Sequence, residues 1–90
     1  MKVSDEVLIE LAYVKISSYR TRTVKALYGE IKVPFQIAED SNILKNYISN
    51  TLGQLADHGL VECINPEAYR GRLYRLTEMG EKVAEQLISD

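Results

Sequence analysis

The chain has 90 residues, 46% hydrophobic and 27% charged, with one cysteine and a formal charge of −2. That length suits one domain, residues 1–90, able to bury roughly 60–65% of its unfolded surface. No apolar run reaches the ~18 residues of a transmembrane helix. Acids at Asp5, Glu6 and Glu10 argue against a signal peptide, and Cys63 alone cannot form an internal disulfide, so a cytoplasmic protein with no membrane partner is expected.

Ser4 is placed to cap a first helix, with Asp5 and Glu6 in the first turn where the helix dipole favours acids. Val7, Leu8, Leu11, Ala12, Val14 and Ile16 give that helix an apolar band wider than one core-facing stripe needs. Ser17-Ser18 interrupts it and can cap a second helix, about Tyr19 to Tyr28, which Gly29 stops. Glu30 to Val33 reads as a small edge strand. Pro34 fits the first turn of a short third helix, because its missing N–H is one that the helix would leave unpaired. Asp40-Ser41-Asn42 forms a polar turn.

A fourth helix is predicted from about Leu44 to His58. Leu44, Ile48, Leu52 and Leu55 recur at helical spacing as its inward side, and Gly59 stands where a left-handed cap is needed. Leu60 to Ile64 and Leu73 to Leu76 read as two strands of a hairpin, with Asn65-Pro66-Glu67 and Gly71 bending the loop between them. Thr77 then caps a last helix whose apolar side is Val83, Ala84, Leu87 and Ile88. The expected class is α+β, in the order α-α-β-α-α-β-β-α.

A pI near 5.4 is unusual for a nucleic-acid-binding protein, but the charge is unevenly spread. Segments 1–18 and 76–90 together hold three basic residues against seven acids, a charge of −4, which leaves +2 on residues 19–75. Arg70, Arg72 and Arg75 fall within six residues of one another. So small an excess predicts modest, strongly salt-dependent affinity for DNA.

Four segments carry a resemblance. Pro34-Phe35-Gln36-Ile37-Ala38, then Ile48 through Leu55, then Gly59-Leu60-Val61-Glu62, and finally Gly71 through Gly80 resemble successive parts of small archaeal winged helix-turn-helix transcriptional regulators, with broader kinship to the ArsR and MarR types. The resemblance covers about Thr23 to Val83. It implies a DNA-binding regulator, commonly dimeric, with residues 33–76 as helix-turn-helix plus wing. Val33 departs from the pattern, since Ser or Thr often caps the helix there. So does Tyr47, where smaller or basic residues are frequent.

Opposite the inward leucines, the fourth helix presents Lys45, Asn46, Tyr47, Asn50, Thr51 and Gln54, and no acid occurs from Leu44 to Ala56. Asn and Gln can pair bidentately with adenine and Lys can meet guanine, so this face suits base edges in the major groove. A solvated polar face is the plainer alternative. Arg70 and Arg72 form the wing tip, able to meet phosphate or enter a minor groove, or else simply to solubilise the hairpin. Arg20, Arg22 and Lys25 on the second helix are as well suited to solvent as to phosphate.

One cysteine and one histidine cannot supply the ligand set of a zinc site, so no metal or cofactor is expected. No nucleophile has an activating partner at a defined spacing and no phosphate loop is present, so an enzyme is not expected. The expectation is a regulator of double-stranded DNA, paired as a homodimer through the terminal helices, residues 1–18 and 77–90. The competing reading is a winged-helix module that docks another protein.

Overall fold

The computed structural model describes residues 3–89. Met1, Lys2 and Asp90, counted above in the charge of the two ends, lie outside the described residues. Helix α1 spans Asp5–Lys15, and the Ser4 hydroxyl accepts the Val7 N–H at 3.3 Å, as the capping reading expects. Ser17 repeats this device for α2, Ser18–Leu27, accepting the Arg20 N–H at 3.2 Å. Pro34 opens α3, Pro34–Ser41, behind an uncapped Val33, and Asn42 closes it in the left-handed conformation at φ 57°. Helix α4 spans Lys45–Asp57.

Gly59 ends α4 as the sequence requires, at φ +70°. Its N–H donates to the Ala56 carbonyl and the Leu60 N–H to the Leu55 carbonyl, both at 2.9 Å, which satisfies two of the last helical carbonyls. The chain then enters β1, Val61–Cys63, which pairs antiparallel with β2, Tyr74–Leu76, in the register Val61↔Leu76. The edge strand expected over Glu30–Val33 is reduced to one residue, Lys32, which exchanges two backbone hydrogen bonds with Tyr74 at 2.9 and 3.1 Å. Helix α5 runs over Glu78–Ser89, with the Thr77 hydroxyl accepting the Gly80 N–H at 3.1 Å.

The core joins all five helices to the hairpin. Val14, Val24, Leu27, Ile37, Leu55, Leu60 and Val83 are fully enclosed. Gly80 lets α5 cross close to β1, because a Cβ there would come within 2.0 Å of the Leu60 carbonyl oxygen. Helix α1 buries only Val7 and Val14, leaving Leu8 and Ile9 exposed together with Ile16 at its C-cap.

Candidate nucleic-acid interface

Helix α4 turns Ile48, Thr51, Leu52 and Leu55 into the core, which is the i, i+3, i+4, i+7 arc of one helical face. This corrects two expectations. Thr51, expected outward as a DNA contact, is 3% exposed, and its hydroxyl donates to the Tyr47 carbonyl at 3.1 Å. Leu44, expected inward, is 67% exposed. The reason is that the helix begins at Lys45. Leu44 is its N-cap, in extended conformation at φ −63° and ψ 142°, and so leaves the helical face to which its spacing assigns it. Thr51 fits inward because its methyl packs while a local carbonyl satisfies its hydroxyl.

The outward face carries Lys45, Asn46, Ser49, Asn50 and Gly53, all exposed, and ends in its last turn at the exposed acid Asp57, four residues past Gly53. Ser49 and Gly53 complete the same helical stripe as Asn46 and Asn50. Counting three and four residues from Asn46 would have found them. Lys45 stands over the Phe35 ring, with Nζ 5.1 Å from the ring centre. Tyr47 lies on the flank of the helix, its ring 5.9 Å from that of Tyr19.

Gln54 is turned away from this stripe. Its Oε1 accepts from Arg20 Nε at 3.1 Å, while Arg20 Nη1 donates to the Tyr13 carbonyl at 2.9 Å. The same guanidinium lies 3.8 Å from the Tyr13 ring centre, and the ring also stacks with His58. Arg22 Nη1 donates to the carbonyls of Ser41 and Asn42 at 3.3 and 3.0 Å, capping the end of α3. Of the three basic residues on α2, Arg20 and Arg22 are therefore engaged in holding helices together, while Lys25 is exposed.

The loop 64–73 between the strands is organised by Asn65. Its Oδ1 accepts the Leu73 N–H at 2.7 Å and its Nδ2 donates to the Gly71 carbonyl at 3.2 Å. Gly71 turns the chain at φ +66°. Arg72 is exposed with Nε donating to the Ala68 carbonyl at 3.0 Å, and Arg70 is exposed beside Tyr69, which is 92% exposed. Arg75 pairs across the strands with Glu62 at 2.7 Å, which separates it from the other two arginines in role.

A second ion pair joins Lys32 to Asp40 at 2.6 Å. That hydrogen bond, with another from Gln36, holds the Asp40 carboxyl below its ordinary range. Among the described residues, no group of three or more His, Cys, Asp or Glu side chains is arranged to hold a metal ion.

No protein-family model matches the chain, and no curated protein matches it. Solved structures do. The chain aligns with the MarR family transcriptional regulator SPO1453 from Silicibacter pomeroyi DSS-3 at a TM-score of 0.73 and 18% identity, over 94% of this chain and 63% of that one. The fold is a winged helix. The structure of NadR in complex with 4-hydroxyphenylacetate gives 0.73 and 24% identity over 92% of this chain and 60% of that one. A mutant of Lactococcus lactis ZitR gives 0.69 and 24% over 81% and 51%. The chain thus spans between about half and two thirds of the length of the winged-helix chains it resembles. The segments expected as helix-turn-helix and wing correspond to α3 with α4 and to the β1–β2 hairpin. No helix among the described residues is long and apolar enough to cross a membrane.

Proposed function

We propose that this protein is a transcriptional regulator that binds double-stranded DNA, laying α4 in the major groove and the wing against the backbone or an adjacent minor groove. The observation that carries the reading is the exposed stripe of α4. Lys45, Asn46, Ser49 and Asn50 offer a cation, two amides and a hydroxyl on one surface, Gly53 leaves room for close approach, and the one acid of the stripe, Asp57, lies in the last turn beyond them. Amides and lysine match the donor–acceptor pattern of base edges. Arg70 and Arg72 on the wing supply charge that is indifferent to sequence. Tyr47, on the flank, is placed to donate to phosphate, whereas Gln54 serves to position the helix through Arg20.

The same reading has the protein work as a homodimer. Leu8 and Ile9 on α1, Ile16 at its C-cap and Ile88 on α5 are large apolar side chains left in solvent, which a second copy would cover. A two-fold pair would present two copies of α4 to a palindromic site. Light scattering that gave a mass near 10.2 kDa at high micromolar concentration would remove the dimer.

The competing reading, a module that docks a protein partner, draws on the net charge of −2 and on the exposed Tyr28 and Ile31 away from α4. Titration of the protein into labelled duplexes pooled from promoter DNA decides between the two. Binding that weakens steeply with salt supports the regulator, and absence of binding at low salt supports the docking module.

A further inference from the structure

We propose that Leu44 determines part of the DNA sequence selected, by packing its side chain on the 5-methyl group of a thymine. This inference rests on α4 being the helix that enters the major groove.

Leucine is a poor choice for the position it holds. An N-cap residue ordinarily offers an oxygen to the unpaired N–H groups of the first turn, and Leu44 offers none. Nor does it gain by packing, since two thirds of it is open to solvent. A leucine that neither caps nor packs contributes little to the fold, and it stands immediately before the first turn of the helix, beside Lys45. Its neighbour across a shallow open groove is Phe35, also about half exposed, with the Lys45 ammonium held over its ring.

The groove's chemistry selects the occupant. Glu39 and Asp40 line it as well, and only Asp40 is neutralised, by Lys32. A phosphate seated there would be repelled by the Glu39 carboxylate, whereas the edge of a base carries no net charge to repel. Among the four bases, thymine alone presents an apolar group in the major groove, and apolar side chains are what recognise it. Leu44 therefore supplies what Asn46 and Asn50 cannot. Amides distinguish bases by hydrogen bonding, while a methyl contact distinguishes thymine from any base that lacks the methyl.

The test uses duplexes enriched from a random library by retention on the full-length protein. Each thymine of an enriched duplex is then replaced in turn by deoxyuridine, which keeps every hydrogen-bonding group and deletes only the methyl. Wild-type protein is expected to lose about three- to tenfold in affinity at one thymine of each half-site, the range for withdrawing one methyl from a good apolar contact. Leu44→Ala, at an exposed position that leaves the circular dichroism spectrum unchanged, is expected to bind both versions equally. Asn50→Ala is expected to remain sensitive to the replacement. DNA binding that is insensitive to deoxyuridine at every position overturns the inference and leaves the DNA-reading function standing. So does Leu44→Ala that keeps the full sensitivity. If no duplex is retained even at low salt, the DNA-reading function falls and this inference falls with it.

Discussion

The Tyr13 ring and the His58 imidazole lie 3.5 Å apart, within 7° of parallel. Tyr13 belongs to α1 and His58 is the C-cap of α4, so the stack fastens the end of the outward-facing helix to the first helix of the chain. Glu10 Oε1 meets His58 Nδ1 at 2.8 Å and the Arg20 guanidinium lies 3.8 Å from the Tyr13 ring centre. Two groups that close to one ring centre must occupy its opposite faces. The ring is thus held between α4 and α2.

This stack should be measurable as coupling. Tyr13→Ala and His58→Ala, taken singly and together in denaturant melts, are expected to show an interaction of about 0.5–1.5 kcal/mol, the range for an aromatic pair beyond its buried area. Additive losses would mean that the rings do not interact.

The facing of α4 makes a sharper demand on stability. Leu52 is 3% exposed, so Leu52→Ala is expected to cost about 2–5 kcal/mol through reduced burial and a residual cavity. Asn50→Ala, on the solvent side, should move stability by no more than about 0.5 kcal/mol. Equal losses in chemical denaturation would reverse the orientation of the helix.

Two glycines should respond in opposite directions. Gly80→Ala drives a methyl into the backbone carbonyl of Leu60, which has no flexible side chain to yield, and should cost at least about 2 kcal/mol. Gly53→Ala meets nothing within 4 Å and lies inside a helix, so it should stabilise by about 0.5–1 kcal/mol. Thermal melts of the two variants read both effects directly.

Exchanging both wing arginines, Arg70→Ala with Arg72→Ala, should weaken binding to all DNA sequences alike. The slope of log affinity against log salt should flatten by about 0.9 for each phosphate that is no longer neutralised. Asn50→Ala should instead cost about 1–3 kcal/mol on the preferred site and little on random DNA, since an amide matches a base and not a charge. Isotherms at several salt concentrations separate the two patterns, and an unchanged slope in the double variant would remove the wing from the interface.

Acid should reveal the Lys32–Asp40 pair. The folded carboxyl is held below its ordinary value, so the unfolded chain binds the proton more readily and stability falls as the pH drops through that interval. The contribution is present above a pH of about 4 and is lost below it. Asp40→Asn should therefore flatten the acid limb of the stability curve, read from melts at stepped pH, and leave its slope near neutrality unchanged.

What is legible in the sequence is local. Ser4, Ser17 and Thr77 cap helices through bonds to residues three positions on, and Gly59 turns left-handed because its own backbone must. Such signals depend on near neighbours in the chain. Thr51 misleads because threonine is polar by name and can still be buried when a carbonyl four residues back takes its hydroxyl. Leu44 misleads because a start displaced by one residue removes a side chain from the helical face. The edge strand shrinks to Lys32 alone, and its pairing with Tyr74, 42 residues further along the chain, is one that local sequence does not announce. Arg20 and Arg22 are equally opaque, since their partners lie on other helices. The order of the helices and hairpin is visible throughout, and the face of α4 is visible in Lys45, Asn46 and Asn50 but not in its full stripe.

The fastening of α4 is unequal along its length. Gln54 and His58 hold its last turn to α2 and α1 by polar bonds, whereas its first turn, behind the uncapped Leu44, is held by the buried Ile48 and by Tyr47 beside Tyr19. Thirteen helical residues span about 20 Å. A tilt of about 10° at the last turn would sweep Lys45 through roughly 3 Å, about one base-pair rise along the DNA axis, so the contacts of Ile48 and Tyr47 fix where the reading end of the helix lies.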